Sequence, residues 1–433
     1  MLVVSKDVAI KYMAVLAASA LCIFGIIETG DCGIHLIFIW MLTAVAVICS
    51  GFDLMHPYFW FSVFFSLYST AYAIIWRTGL MSGIYSKEQL LYPAIALSIV
   101  LLIVGPKKVI NDEKAVLKKS MENSTVNYII IAFALLTVLI SLILYSRDYS
   151  SKTQMQKTGD PFYRVGIHLV RFMTFFAVLY ASKLLVKKDR KAWGLLALCG
   201  FATLVFTLIT SERDVVFRFG YTILLLLFCY KIIKPKHLIF IFPLAGAVMA
   251  FSTVIKHYFL RGILHTGSGN LFYDFLSSDF TAAGRNLQYL LSRTGTEGVL
   301  GWKTFFTELF YPLLIGIKKI NPDHWFNNEV HTGSFKGYAF TLVGTGYAIA
   351  GLAGVIAIFI TVGLIVKFFY NHSADSLYWQ SSYIYLSSAV VFSFRQSLQT
   401  ISNSIIRYII LAVLICWIMD RYRFTVGNKK LDL

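Results

Sequence analysis

The 433-residue chain is 58% hydrophobic and only 14% charged, and its mean hydropathy is +0.69. A soluble protein needs far more polar surface, so these values exclude that class and predict an all-α polytopic membrane protein. The formal net charge is +17. In a membrane protein such an excess reflects topology and anionic lipid, so membrane lipid is an expected partner and nucleic acid is not.

Twelve apolar runs have the length of membrane-spanning helices, which need roughly 20 residues. They lie at 8–27, 34–50, 57–76, 90–104, 128–145, 167–186, 192–210, 215–233, 238–255, 340–366, 377–394 and 405–419. The run at 90–104 is short and the run at 340–366 is long, so the number of spans is open by one or two.

The charged residues between these runs predict the orientation. Lysines fill the loops at 105–127, 187–191 and 231–236, which places those loops and both termini in the cytoplasm. The chain then divides into N-terminal membrane helices (1–255), a large periplasmic loop (256–338) and C-terminal membrane helices (339–433). Within the loop, the apolar stretch 305–317 predicts a helix that lies in or dips into the membrane interface.

Arginine shows the opposite distribution from lysine. The topology places eleven of the fourteen arginines on or near the outer face, namely Arg77, Arg147, Arg164, Arg171, Arg213, Arg218, Arg261, Arg285, Arg293, Arg395 and Arg407. Arginine stays charged and binds phosphate through two parallel hydrogen bonds. This distribution predicts an anion-binding site that faces outward.

Each of these arginines also has a simpler interpretation. Arg171, Arg213 and Arg218 lie near the ends of consecutive spans, where arginine side chains often reach lipid headgroups. Asp214 and Arg218 are separated by four residues and would pair along one helix. In the loop, Arg261, Arg285 and Arg293 stand among glycine and polar residues, where they would bind a ligand, cap a helix or bind lipid phosphate.

One histidine near the loop's end is the preferred proton acceptor, because histidine titrates near neutral pH. This is His331, and the alternatives are His257, His265, His324, Glu297, Glu308 and Glu329. The sequence contains no P-loop, no Asp-x-Asp pair and no His-Glu-x-x-His motif, so no cofactor and no metal are expected. The glycines at 344–346 and 351–354 predict close helix packing.

Three local segments stand out: His56-Pro57-Tyr58-Phe59-Trp60-Phe61 with Tyr68, Thr210-Ser211-Glu212-Arg213, and His331-Thr332-Gly333-Ser334 leading to Gly344-Thr345-Gly346. They resemble segments of the O-antigen and oligosaccharide repeat-unit polymerases (Wzy), which are related to the O-antigen ligases. The layout of about a dozen spans with one large late loop resembles that family over most of the chain. The resemblance implies a GT-C-like fold.

The resemblance also implies roles for individual residues. His331, Arg213 and Arg293 would be catalytic, and Arg171, Arg218, Arg261, Arg285 and Arg395 would bind substrate. Two positions bear on the match: Glu212 stands where the family often has glycine beside its arginine, and Thr341 stands where the ligase pattern has glycine. The second departure favours a polymerase over a ligase.

The expected function is therefore a metal-independent glycosyltransferase of the bacterial inner membrane. It would move a growing glycan from undecaprenyl diphosphate onto a lipid-linked oligosaccharide repeat unit at the periplasmic face. An O-antigen ligase, a lipid-linked oligosaccharide flippase or other transporter, and a sugar O-acetyltransferase are the alternatives. A chain-length regulator protein is an open candidate partner.

Overall fold

The computed structural model describes residues 6–107, 126–147, 149, 154–155, 158–237, 240, 280–314, 320–330, 340–421, 425–426 and 429–430. Within this part of the chain, eight helices are long and apolar enough to cross a membrane. These are Lys6–Glu28, Cys32–Ser50, Pro57–Arg77, Val126–Tyr145, Pro161–Val186, Lys191–Thr210, Leu342–His372 and Gln399–Met419. The chain is accordingly an α-helical polytopic membrane protein.

The first eight helices of the described residues are α1 (Lys6–Glu28), α2 (Cys32–Ser50), α3 (Pro57–Arg77), α4 (Glu88–Val104), α5 (Val126–Tyr145), α6 (Pro161–Val186), α7 (Lys191–Thr210) and α8 (Arg213–Cys229). Then follow α9 (Phe280–Leu291), α10 (Gly301–Leu309), α11 (Pro322–Trp325), α12 (Leu342–His372), α13 (Leu377–Ser393), α14 (Gln399–Asn403) and α15 (Leu411–Arg421). A short antiparallel ladder joins β1 (Thr425–Val426) to β2 (Lys429–Lys430).

A helix occupies every predicted span except 238–255, most of which lies outside the described residues. The helix boundaries follow local capping chemistry. Asp31 caps α2 and Asp160 caps α6, each accepting bonds from two backbone amides, and Pro161 occupies the first turn of α6. The twelve-span count and the side of the membrane that each end faces remain predictions.

Helices from the two ends of the chain pack together. α4 packs against α12, α3 against α2 and α9, and α13 against α6, α8 and α12. The Trp60 indole of α3 donates to Tyr383 Oη of α13 at 2.9 Å, and Tyr383 donates to the Met55 carbonyl at 2.5 Å. Because all three groups are buried, these bonds hold the N-terminal and C-terminal helices in a fixed relation.

Most of the described arginines lie at one end of the helix bundle, although Arg190 lies at the other. The turns at 29–31, 78–87 and 211–212 mark what we call the arginine end, and those at 187–190 and 373–376 mark the lysine end. The described arginines at the first end are Arg77, Arg147, Arg164, Arg171, Arg213, Arg218, Arg285, Arg293, Arg395 and Arg407. The described arginines thus gather at one end of the bundle, and the side of the membrane that this end faces remains a prediction.

Helix α12 is broken, which explains the length of the predicted run at 340–366. Ala350 (φ −161°, ψ 38°) and Gly351 (φ 59°, ψ −140°) leave helical geometry and divide it into two half-helices. The break uncovers two carbonyls, and the segment before α10 satisfies them: Gly298 N donates to Tyr347 O at 3.1 Å and Leu300 N to Ala348 O at 2.8 Å. A backbone break at membrane depth requires such partners.

The glycines of α12 have two different roles. A Cβ on Gly354 would lie 2.1 Å from the Gly346 carbonyl oxygen, so the predicted close packing is confirmed at this pair. Gly351 instead supplies the positive φ of the break, and a Cβ there would lie 2.1 Å from Glu297 Oε1.

The predicted large loop contains a helix that docks into the bundle. Phe280, Ala283 and Leu287 of α9 are buried against α3, and Gln288 Oε1 accepts from Ser86 N at 3.0 Å. Helix α10 and a single 3-10 turn (Tyr311–Leu313) occupy part of the predicted interfacial helix at 305–317. Its position relative to the interface remains a prediction, and 315–319 lie outside the described residues.

Candidate anion-binding site

The predicted tight turn between α7 and α8 is present, and it fixes the first residues of α8. Ser211 adopts the left-handed conformation (φ 58°). The buried Glu212 carboxylate accepts a hydrogen bond from the Tyr163 hydroxyl of α6, and Thr207 Oγ1 donates to the Glu212 carbonyl at 3.2 Å. Glu212, which departs from the glycine of the family pattern, thus anchors the turn to α6.

The expected pairing of Asp214 with Arg218 along α8 is wrong. Asp214 Oδ2 pairs instead with Arg171 Nη2 of α6 at 3.2 Å. The Arg171 Nη1 also donates to Tyr408 Oη at 3.4 Å. Because α6 packs against α8, Arg171 of α6 reaches the Asp214 carboxylate, and the ion pair forms between the two helices instead of along α8.

Arg218 is only 3% exposed and forms no ion pair with any described carboxylate. Its Nη2 donates to Ser404 Oγ at 3.0 Å, and its Cζ lies 5.3 Å from the centre of the Tyr385 ring. Among the described residues, Arg218 Nε and Tyr385 Oη have no hydrogen-bond partner although both are buried. A buried cation of this kind cannot be explained by contact with lipid headgroups.

Arg171 and Arg218, which we call the guanidinium pair, lie near one carboxylate, Asp214, which forms an ion pair with Arg171. Each carries a full positive charge, and the Arg171 Nε is also buried with no partner in the described part of the chain. Burying a charge is costly unless it is neutralised and hydrogen-bonded. Arg218 adds a second charge without an ion pair to any described carboxylate, and unused N–H and O–H donors lie beside it, so this place has the chemistry of an anion site. The Arg171 side chain is 25% exposed.

A histidine and a tyrosine extend the site. His168 Nδ1 lies 2.6 Å from Tyr408 Oη, the same oxygen that accepts from Arg171. Tyr408 belongs to a π-helical turn (Ser404–Ile410) between α14 and α15, and the same turn supplies Ser404 to Arg218. Such turns are rare and often occur at functional sites.

The other predicted arginines have different surroundings. Arg213 is half-buried at the start of α8, and Arg285 is half-buried on α9. Arg293 is exposed after α9, where its Nη2 donates to Tyr289 Oη at 2.5 Å and its Cζ lies 5.0 Å from that ring. Arg395, also half-buried, lies with its Cζ 4.7 Å from the Phe392 ring. The observed contacts join Arg171 and Arg218 into one cluster.

Four predicted residues lie outside the described residues: Arg261, His331, His257 and His265. Of the remaining candidate proton acceptors, His324, Glu297 and Glu329 are exposed. Glu308 is fully buried, and its Oε2 accepts from Gln399 N at 3.0 Å. Burial raises the pKa of Glu308 to about 8, so its neutral form predominates at neutral pH.

Sequence reasoning missed His168, Tyr385, Ser404 and Tyr408. Two signals were present. His168 and Arg171 are three residues apart and share a helix face. The run 377–388 of α13 is unusually rich in tyrosine and serine for a spanning segment, and polar groups inside a membrane protein often mark function.

No protein-family model, no curated protein and no solved structure matches this chain. Among the described residues, no group of three or more histidine, cysteine, aspartate or glutamate side chains is arranged to hold a metal ion. The interpretation of the site consequently depends on its own geometry.

Proposed function

We propose that the chain is a glycan polymerase that acts on lipid-linked substrates. It transfers a growing glycan from undecaprenyl diphosphate onto the terminal sugar of a lipid-linked oligosaccharide repeat unit, at the periplasmic face of a bacterial inner membrane. The observation that carries this proposal is the guanidinium pair, in which Arg171 is ion-paired with Asp214 and Arg218 is buried without an ion pair to any described carboxylate.

The chemistry follows from the leaving group. When the bond between the anomeric carbon and the diphosphate breaks, negative charge develops on the diphosphate oxygen. Fixed guanidinium groups in a water-poor site stabilise that charge without needing a metal ion. Arg171 and Arg218 are held in place by Asp214 and Ser404 and by the faces of Tyr408 and Tyr385, so little reorganisation is needed.

The position of the pair suits a lipid substrate. Arg171 lies in the spanning helix α6, and Arg218 lies in α8, which begins at the arginine end. In this proposal the headgroup of a membrane lipid reaches both residues from that end while its chain stays in hydrocarbon. The resemblance to the repeat-unit polymerases in layout and in the 210–213 turn supports the same reaction. The orientation with both termini cytoplasmic is part of the proposal.

The test is made in cells whose own copy of the gene is deleted and replaced by variants. We expect Arg171→Met and Arg218→Met to leave single lipid-linked repeat units, whereas Arg147→Ala, which changes an exposed arginine of the same end, leaves polymer of normal length. Chain length is read on extracted lipid-linked glycan, with expression measured in parallel. Normal polymer from both methionine variants would refute the assignment, and unligated polymer would indicate an O-antigen ligase.

One observation favours a second candidate function, a lipid-linked oligosaccharide flippase. Transporters often build their sites around discontinuous helices, and α12 is discontinuous at Ala350 and Gly351. The guanidinium pair lies on other helices, α6 and α8, so the break in α12 does not form the proposed anion site. Movement of lipid-linked oligosaccharide across liposome membranes, without any lengthening of the glycan, would establish this alternative.

A further inference from the structure

The guanidinium pair holds a leaving group, but a glycan transfer also needs a group that takes the proton of the attacking hydroxyl. We propose that His168, acting through Tyr408, is that proton acceptor. The inference depends on the proposed function and assigns one further role within the same site.

The hydrogen bonds around Tyr408 offer a route for a proton. The Arg171 guanidinium is only a donor, so Tyr408 Oη accepts from it at 3.4 Å. His168 Nδ1 lies 2.6 Å from the same oxygen, and it accepts the Tyr408 proton in the tautomer that carries its own proton on Nε2. In that tautomer the chain of bonds runs from Arg171 through Tyr408 to His168.

The surrounding charges couple this acceptor to the substrate. Arg171 donates to the same Tyr408 oxygen that His168 contacts, so its positive charge lies close to the imidazole. A diphosphate bound at the guanidinium pair adds negative charge nearby and so stabilises the imidazolium that forms during reaction. Proton acceptance thus becomes favourable when the substrate is present.

The step balances as follows. The acceptor hydroxyl oxygen forms a bond to the anomeric carbon of the growing glycan while the bond from that carbon to the diphosphate breaks. The diphosphate leaves with the electron pair and remains beside Arg171 and Arg218. The hydroxyl proton passes to Tyr408 Oη as the proton of Tyr408 passes to His168 Nδ1. The imidazolium then loses its proton to solvent.

Other histidines and carboxylates of the described residues fit this role less well. His35 Nδ1 and Nε2 contact Tyr85 and the Thr29 carbonyl, away from any arginine pair. His324 is exposed, and the neutral form of Glu308 predominates at neutral pH. His168 alone among the described histidines is bonded to a group that also contacts the guanidinium pair.

The experiment uses the full chain reconstituted in lipid nanodiscs, with undecaprenyl diphosphate as the binding probe and lipid-linked repeat units as substrate. We expect His168→Ala and Tyr408→Phe to lower the rate of glycan lengthening about 10²- to 10⁴-fold. Affinity for undecaprenyl diphosphate should stay within about twofold of wild type, since that ligand needs the guanidinium pair and not the relay. Tyr408→Phe retains the ring that packs on Phe172.

Chemical rescue separates a proton role from a structural one. Added imidazole should restore part of the rate in His168→Ala, where it fills the vacated space, and none in Arg218→Met. Near-normal rates in both relay variants, or loss of probe binding together with the rate, would overturn the assignment of His168. The proposed function would stand in either case if Arg218→Met abolishes lengthening, and would fail if wild-type protein lengthens no glycan.

Discussion

Two sets of arginines at the same end of the bundle contrast in charge balance. Arg77 pairs with Asp31 at 2.9 Å and Arg147 with Asp160 at 2.6 Å, so each of these two arginines has a carboxylate of its own. In the guanidinium pair Asp214 is ion-paired with Arg171, and Arg218 is almost fully buried. The number of arginines at a membrane face is therefore a poor guide to a site, and burial without matching negative charge is a better one.

The largest expected effect comes from removing the Asp214 carboxylate. Asp214→Asn removes the carboxylate that pairs with Arg171 beside the buried Arg218. Breaking a buried ion pair in this way costs about 3–5 kcal/mol of stability. The thermal midpoint in detergent should fall accordingly. If the pair binds anions, saturating undecaprenyl diphosphate should raise the midpoint more in Asp214→Asn than in wild type. An equal or smaller rise would contradict anion binding by the guanidinium pair.

The second effect separates stability from binding. Arg218→Met replaces a buried charge by an apolar group of similar length, which is often neutral or stabilising. We expect an unchanged or higher thermal midpoint together with a rate of glycan lengthening that falls about 10²- to 10³-fold. A drop in the midpoint with retained activity would show that Arg218 is a structural residue.

The third effect is smaller and concerns a peripheral pair. Asp160 caps α6, and Asp160→Ala should cost about 0.5–2 kcal/mol while leaving the reaction rate unchanged. Burial acts to raise the pKa of Asp160, but bonds from Tyr149, the Phe162 amide and Arg147 outweigh it, and the pKa is lowered.

The lowered pKa gives this variant a pH dependence with a definite sign. The stability from the charged carboxylate is present above the unfolded-state pKa, near 3.8, and is lost as pH falls through the lower folded-state value. The difference in midpoint between wild type and Asp160→Ala should shrink under acid conditions. A constant difference down to strongly acid pH would exclude a role for the ionised form.

The smallest effect is expected for the exposed pair. Arg77 and Asp31 have side chains that are 50% and 51% exposed, and such pairs contribute little in solvent. Arg77→Ala should change neither the thermal midpoint nor the rate measurably. A loss of activity in this variant would show that exposed arginines of this end also serve the reaction.

The helices were largely predictable from the sequence because a run of apolar residues and its capping residues are local features. The break in α12 was not, because its carbonyls find partners at Gly298 and Leu300, some 50 residues earlier in the chain. For the same reason Arg171, Arg218 and Asp214 could be proposed as individual residues, but the pairing of Asp214 with Arg171 of another helix could not. Ser404 and Tyr408 reach the site through tertiary packing of the last helices.

The backbone bonds that cover the break in α12 make two parts of the chain mechanically inseparable. If the segment at 297–300 moved away, the Tyr347 and Ala348 carbonyls would face hydrocarbon, at a cost of several kcal/mol for each group. We therefore expect the first half-helix of α12 to move together with that segment, and any bending of α12 to occur at Gly351.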